Sequence, residues 1–276
     1  MMIEDGYGGD FRGCAMRVKR KRIVIKVGTN VLTLESGELN LGVMQNIATQ
    51  IKALKKKGYD VILVSSGAIG CGMQILGIDE YPTDLGLKQT CAAAGQTKLM
   101  QTWQLVFGDV YISQNLITRA AFSNEKNIID FKRTLKVSLN RGIIPIVNEN
   151  DAVSTAEIDE KFTDNDELTA SVAALICADM VFVLTDVHGL YDDNPQINPN
   201  ANLIRRIEDI SRVILDYANG AGKNGRGGMK SKLLSILRIV ECGIDAYLLH
   251  GKIYNGVLSS IDGNSSGTYF PGVKRK

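Results

Sequence analysis

Short apolar runs rich in β-branched residues recur along this chain, separated by stretches whose apolar residues repeat at helical spacing. The first run, RIVIKV at 22–27, stops at Gly28-Thr29-Asn30. Residues 41–57 then carry Leu41, Met44, Ile47, Ile51 and Leu54 at helical intervals and close on KKKG, with cations in the last turn. The pattern continues with strand DVILV at 60–64, a helix over 84–107, strand DVYIS at 109–113, a helix near 123–140, and strand IIPIV at 143–147. After an acidic segment come a helix over 165–178, strand MVFVLT at 180–185, helices over 207–218 and 229–242, and strand DAYLL at 245–249. Strands this apolar, alternating with helices, predict a mainly parallel sheet covered on both faces. Ligands bind such sheets beyond the carboxyl ends of the strands, so the loops there are the place to look for chemistry.

Composition narrows the class further. With 276 residues, 45% of them hydrophobic and 22% charged, the chain can bury one large core or two small ones, which excludes disordered and fibrous classes. A net charge of +2 gives no field for nucleic acid, and the one basic run, RVKRKR at 17–22, has no interleaved aromatics and reads as a solvated flank. Five cysteines without CxxC spacing, with Cys177 and Cys242 in apolar helical runs, predict reduced core thiols; two histidines and no Cys/His cluster argue against structural zinc. No run reaches the roughly 18 apolar residues of a membrane span. The opening MMIEDGYGGDFRGCAM lacks the apolar centre of a signal peptide, so a cytoplasmic protein with a loose extension over 1–21 is expected.

Five segments carry candidate chemistry. Lys26 is the last charged residue of an otherwise apolar strand and is followed two residues later by Gly28, which suits a phosphate, although a lysine capping a strand end has the same look. Residues 220–232, GAGKNGRGGMKSK, place five glycines before a helix that brings in Lys230 and Lys232. Cations in a first turn oppose the helix dipole unless an anion binds there; a flexible surface loop is the alternative. The Walker A pattern and the protein-kinase HRD and DFG signatures are absent. VSSGAIG sets small hydroxyls and glycines between a strand and a helix, and IVNENDAV sets Asn148, Glu149, Asn150 and Asp151 directly after an apolar strand, as a ligand-binding edge or an Asx-rich turn. Finally, EIDEKFTDNDE packs six carboxylates into the eleven positions 157–167. Capping-box spacing from Thr163 to Asp166 and from Asp164 to Glu167 accounts for part of this cluster. A carboxylate between the two lysine loops would fix both ammonium groups, and Asp166 is the candidate.

The segments IKVGTNVL, LVSSGAIGCG, LKQTCAAAGQTKLM, PIVNENDAV, DNDELTA, LTDVHGLY and GRGGMKSK, in this order, closely resemble the glutamate 5-kinases of the amino acid kinase family, from about Arg22 to about Phe270. The resemblance implies a three-layer αβα sandwich of the carbamate kinase-like kind. It implies one domain over 22–276, with glutamate bound by about 22–178 and ATP by about 179–276, and no PUA domain because the chain stops at Lys276. The implied reaction is ATP-dependent phosphorylation of the L-glutamate side-chain carboxylate, the first step of proline biosynthesis.

By the same resemblance, Lys26, Lys232 and Asp166 are catalytic. Ser66, Asp151 and Asn165 hold glutamate, with Gly67, Ala68 and Asn150 close by. Lys26, Thr185, Asp186, Arg226, Gly227, Gly228, Met229, Lys230, Ser231 and Lys232 hold ATP, and Mg²⁺ rides on the phosphates and water without protein ligands. Arg226 departs from the GTGGM pattern of most relatives. Proline feedback, a homo-oligomer paired through helices around 84–140, and coupling to glutamyl-phosphate reductase are further implications. Other small-molecule kinases of this fold, or a non-catalytic proline or glutamate sensor, are the alternatives. A nucleic-acid or membrane partner is not expected.

Overall fold

The computed structural model describes residues 20–34, 36–153, 165–193, 195, 197–216 and 227–273. The elements run β1 (Arg22–Val27), α1 (Thr29–Leu32), α2 (Leu41–Lys56), β2 (Asp60–Ser65), α3 (Ala68–Leu76), α4 (Leu85–Phe107) and β3 (Ile112–Ile117). A 3₁₀ turn (Arg119–Ser123) leads to α5 (Glu125–Asn140), β4 (Ile144–Glu149), α6 (Asn165–Ile176), β5 (Met180–Thr185), α7 (Ile210–Asp216), α8 (Gly227–Glu241), β6 (Asp245–His250), α9 (Gly256–Ile261) and β7 (Thr268–Phe270).

Seven strands form one sheet in the order β3-β4-β2-β1-β5-β6-β7, parallel throughout except for β7, which returns antiparallel along β6. The central strand β1 pairs with β2 on one side and β5 on the other. The chain therefore reverses its direction of travel across the sheet at β1, which opens a crevice beyond its carboxyl end.

Alternation along β1 decides where its side chains go. Ile23, Ile25 and Val27 enter a core layer shared with α2, α4 and α9, whereas Val24 enters the opposite layer, built with α5, α6 and α8. Each such fully buried Ile or Leu contributes about 2 kcal/mol. By the same parity Lys26 emerges on the α6 and α8 side, and it is 2% exposed. Helix–helix contact on the other face is close enough to demand glycine: a Cβ on Gly72 would lie 1.8 Å from the Cys91 carbonyl oxygen, and one on Gly95 would lie 1.9 Å from that of Ala68.

Three expectations from sequence are corrected. The strand expected at 109–113 lies at 112–117 instead. It is an edge strand paired only with β4, so Ser113 and Gln114 are tolerated where an apolar run was sought. Cys177 and Cys242 are not core thiols: both follow the last residue of a helix and are exposed, while Cys71 and Cys91 are buried. The last glycine-rich helix begins at Gly227, two residues before the expected Met229. The extension over 1–19, residues 157–164 of the acidic segment, and Arg226 lie outside the described residues.

Candidate active site

Four strand ends and two helix starts meet at the crevice. β1 delivers Lys26, and α6 begins with Asn165 and Asp166. The Lys26 ammonium lies 2.7 Å from Asp166 Oδ1, and that of Lys232, in the second turn of α8, lies 3.6 Å from Oδ2 of the same carboxylate. Asp166 is 1% exposed, and its backbone carbonyl accepts a hydrogen bond from Ser235 Oγ at 2.6 Å, which ties α6 to α8. Two ammonium groups thus share one buried carboxylate. Burying ions is costly, so a pair of this kind argues for geometry more than for stability. The longer 3.6 Å contact and 16% exposure of Lys232 show an amine less tightly committed to Asp166 than Lys26 is.

The first-strand loop passes in contact with the Lys26 amine. A Cβ on Gly28 would point toward Lys26 Nζ at 3.7 Å, and its own N–H donates to the Leu184 carbonyl at 3.1 Å, closing β1 onto β5. A polyphosphate fits this cationic, glycine-lined edge.

On the side of β2 and β4 a polar chain runs into the core. Asn165 Nδ2 donates to Ser66 Oγ at 2.8 Å and to Asn148 Oδ1 at 2.9 Å, and Asn148 Nδ2 donates to Gln96 Oε1 at 3.0 Å. The Asn165 Oδ1 atom is buried without a hydrogen-bond partner, so it offers an acceptor to a ligand donor. Gly67, at φ 105°, turns the chain from β2 into α3, whose first residue is the buried Ala68. Asn150 donates its backbone N–H to Ile117 at 3.0 Å. In the same turn, burial and then the charge of Glu149 push the Asp151 carboxyl up to about 6, the signature of an acidic edge suited to a cation.

On the side of β5, Asp186 Oδ1 accepts from Thr185 Oγ1 at 3.0 Å and Oδ2 from Asn30 Nδ2 at 2.8 Å. Burial acts to raise the Asp186 carboxyl, but hydrogen bonds from Asn30, Thr185 and its own backbone, together with the charge of Lys232, hold it below the usual carboxylate range. Gly227, Gly228, Met229 and Ser231 belong to the first turns of α8; Met229 packs on the core, and Lys230 points outward.

The structure therefore joins Lys26, Asp166 and Lys232, joins Ser66 to Asn165, and sets Asp186 within the field of Lys232. The sequence assigned no role to Asn30 or Gln96, and marked Asn148 only as part of a ligand-binding edge or an Asx-rich turn. Gln96 carried a signal: a polar residue beside Gly95 on a helix face that is otherwise buried.

The family model described as Amino acid kinase family matches residues 21–250. A glutamate 5-kinase of Thermus thermophilus is 43% identical over 92% of this chain and 68% of its own length, and one of Clostridium acetobutylicum is 42% identical over 90% and 94%. Among solved structures, carbamate kinase from Giardia lamblia bound to AMP-PNP superposes with TM-score 0.64 at 16% identity, covering 92% of this chain and 99% of that one. A UMP kinase from Ureaplasma parvum gives TM-score 0.60 at 18% identity, covering 92% and 99%. On the family model and on relatives more than 40% identical over nine-tenths of its length, this chain belongs to the amino acid kinase family, in its glutamate 5-kinase branch.

Proposed function

We propose that this protein transfers the γ-phosphoryl group of ATP to the side-chain carboxylate of L-glutamate, giving L-glutamyl 5-phosphate for proline biosynthesis. The observation that carries this reading is the convergence of Lys26 and Lys232, from opposite ends of the chain, on the buried Asp166. The acceptor carboxylate has an ordinary pKa near 4.3 and is already ionised at neutral pH, so no general base is needed. The barrier is charge: an anion must approach an anion. Lys26 and Lys232, held by Asp166, offset that repulsion across the transferring group while leaving attacking and leaving oxygens in line.

Asp151 and the open acceptor Asn165 Oδ1 would take the substrate's α-ammonium, with Ser66 beside them. Thr185, Asp186 and the start of α8, from Arg226 to Lys232, would hold the nucleotide, with Gly227 and Gly228 contributing backbone. On this reading the stretch over 22–178 serves glutamate and that over 179–276 serves ATP. Mg²⁺ brought in with the nucleotide would supply further neutralisation of the phosphoryl charge.

The deciding experiment is a coupled assay for ADP release with ATP and Mg²⁺, in the presence and absence of glutamate and of other carboxylate, carbamate and phosphate acceptors. Glutamate-dependent turnover that leaves the other acceptors idle is expected; turnover on a different acceptor, or none, would overturn the reading. Adding proline to that assay tests feedback by competition with glutamate, which we propose on family grounds. Light scattering tests homo-oligomerisation, and mixing with glutamyl-phosphate reductase tests passage of the labile acyl phosphate. No helix among the described residues is long and apolar enough to cross a membrane; a cytoplasmic location is proposed on family grounds.

A further inference from the structure

Asp186 stands where it could disturb the catalytic charges. It is exposed, it follows the last residue of β5, and Lys232 is close enough for its charge to act on it. This second carboxylate lies in the field of an ammonium that Asp166 also holds. The contact it would have to beat is the looser of the two at Asp166, at 3.6 Å. An exposed aspartate has rotamers to spare, and ion pairs between mobile side chains re-form readily.

In the structure both oxygens of Asp186 are engaged elsewhere. Thr185 Oγ1 donates to Oδ1 at 3.0 Å, and Asn30 Nδ2, from a residue 156 positions away, donates to Oδ2 at 2.8 Å. Thr185 is the neighbouring residue and moves with Asp186. Asn30 does not: it belongs to α1, the short helix that follows β1, the strand that carries Lys26.

We propose that Asn30 is a positioning residue for phosphoryl transfer, holding Asp186 by one oxygen so that this carboxylate faces the nucleotide and leaves Lys232 to Asp166 and the phosphates. The inference rests on the kinase reading above. It adds to that reading a link between the helix that follows the Lys26 strand and the carboxylate that lies in the field of Lys232.

Asparagine is suited to this position. Its amide donates without carrying charge, so it fixes a carboxylate without adding a third cation beside the two lysines. Aspartate at the same place keeps the shape, loses the donor and adds repulsion. When protonated it regains a donor, which gives the substitution a distinctive pH signature.

The test measures KM for ATP, KM for glutamate and kcat from pH 5.5 to 8.5 for the unmodified enzyme, Asn30→Ala, Asn30→Asp, Asp186→Ala and the Asn30→Ala/Asp186→Ala double variant. Calorimetric titration with Mg·ATP runs in parallel. Losing one hydrogen bond to a charged group should raise KM and Kd for ATP about tenfold in Asn30→Ala, with KM for glutamate within about twofold. Asn30→Asp should be worse than Asn30→Ala at pH 8.5 and should recover toward the unmodified enzyme as the pH falls. The double variant should match Asp186→Ala alone, because Asn30 acts through that carboxylate. ATP affinity unchanged in both Asn30 variants, or effects of Asn30→Ala and Asp186→Ala that multiply, would overturn the inference and reduce the bond to a surface cross-link. If the unmodified enzyme binds Mg·ATP but does not phosphorylate glutamate, the proposed acceptor falls while the calorimetric comparison still decides the role of Asn30.

Discussion

Replacing Asp166 by asparagine keeps the side chain's shape and removes the charge between the two lysines. At an effective dielectric constant of about 20, the attraction lost is about 6 kcal/mol for Lys26 at 2.7 Å and about 5 kcal/mol for Lys232 at 3.6 Å. Relaxation and solvent entry return much of this. Removing one partner of a buried pair typically costs about 3–5 kcal/mol, which here lowers the melting temperature by roughly 6–15 °C for a domain of this size. The backbone bond from Ser235 to Asp166 survives, so α6 and α8 should stay together. Catalysis should suffer more than folding. With neither amine held over the transferring group, kcat in the coupled ADP assay should fall about a thousandfold, near 4 kcal/mol. KM for ATP should not rise, because both ammonium groups keep their charge and still attract polyphosphate. A folded Asp166→Asn enzyme, verified by its melting curve, whose kcat stays within about threefold of the original would refute the argument that this carboxylate organises the centre.

Lys26→Ala and Lys232→Ala should each lower kcat by at least about a hundredfold in the same assay, the scale of a lost preorganised electrostatic contact. The Asp151 carboxyl, raised to about 6, must be ionised to bind an ammonium, so KM for glutamate should climb as the pH drops through about 6. The substrate's own side chain titrates lower, near 4.3, which separates the two limbs. Asp151→Asn should raise KM at pH 8 and abolish that climb, and a KM–pH profile identical to the original would sink the assignment. Gly95→Ala would drive a methyl to 1.9 Å from the Ala68 carbonyl oxygen, and the two helices would have to part. Urea unfolding should register a loss of roughly 1–3 kcal/mol or more, with KM for glutamate rising because Gly67 and Ala68 move; unchanged stability would mean that the contact is not tight.

Elements buried on both faces were legible almost to the residue. β1 and β5 read as unbroken apolar runs because water reaches neither side, and the single lysine in such a run announced the site. β3 was placed too early because an open edge lets polar Ser113 and Gln114 into a strand, so its hydrophobic signal fades where pairing with β4 takes over. α1, α9 and β7 are too short to carry a period. Cys177 and Cys242 were misjudged because an apolar helical run says nothing about the residue just past its end, where the backbone turns away from the core; Cys177 sits there at φ 51°. Within the site, the charged residues stood out against apolar surroundings. The amide chain from Asn165 through Asn148 to Gln96, and the bond from Asn30 to Asp186, joins residues far apart in sequence whose types are ordinary one by one, and only their spatial meeting gives them meaning.

Lys26 leaves the central strand, whose backbone is pinned on both sides through the Lys26–Val64 and Lys26–Val183 registers. Asp166 and Lys232 ride on separate helices that reach it from across the reversal in strand order. The reacting centre is therefore a seam between the first and second parts of the chain, and neither part owns it. Anything that loosens the docking of β5 against β1 pulls the amines apart before the fold is lost, which makes turnover an earlier casualty of heat or denaturant than secondary structure.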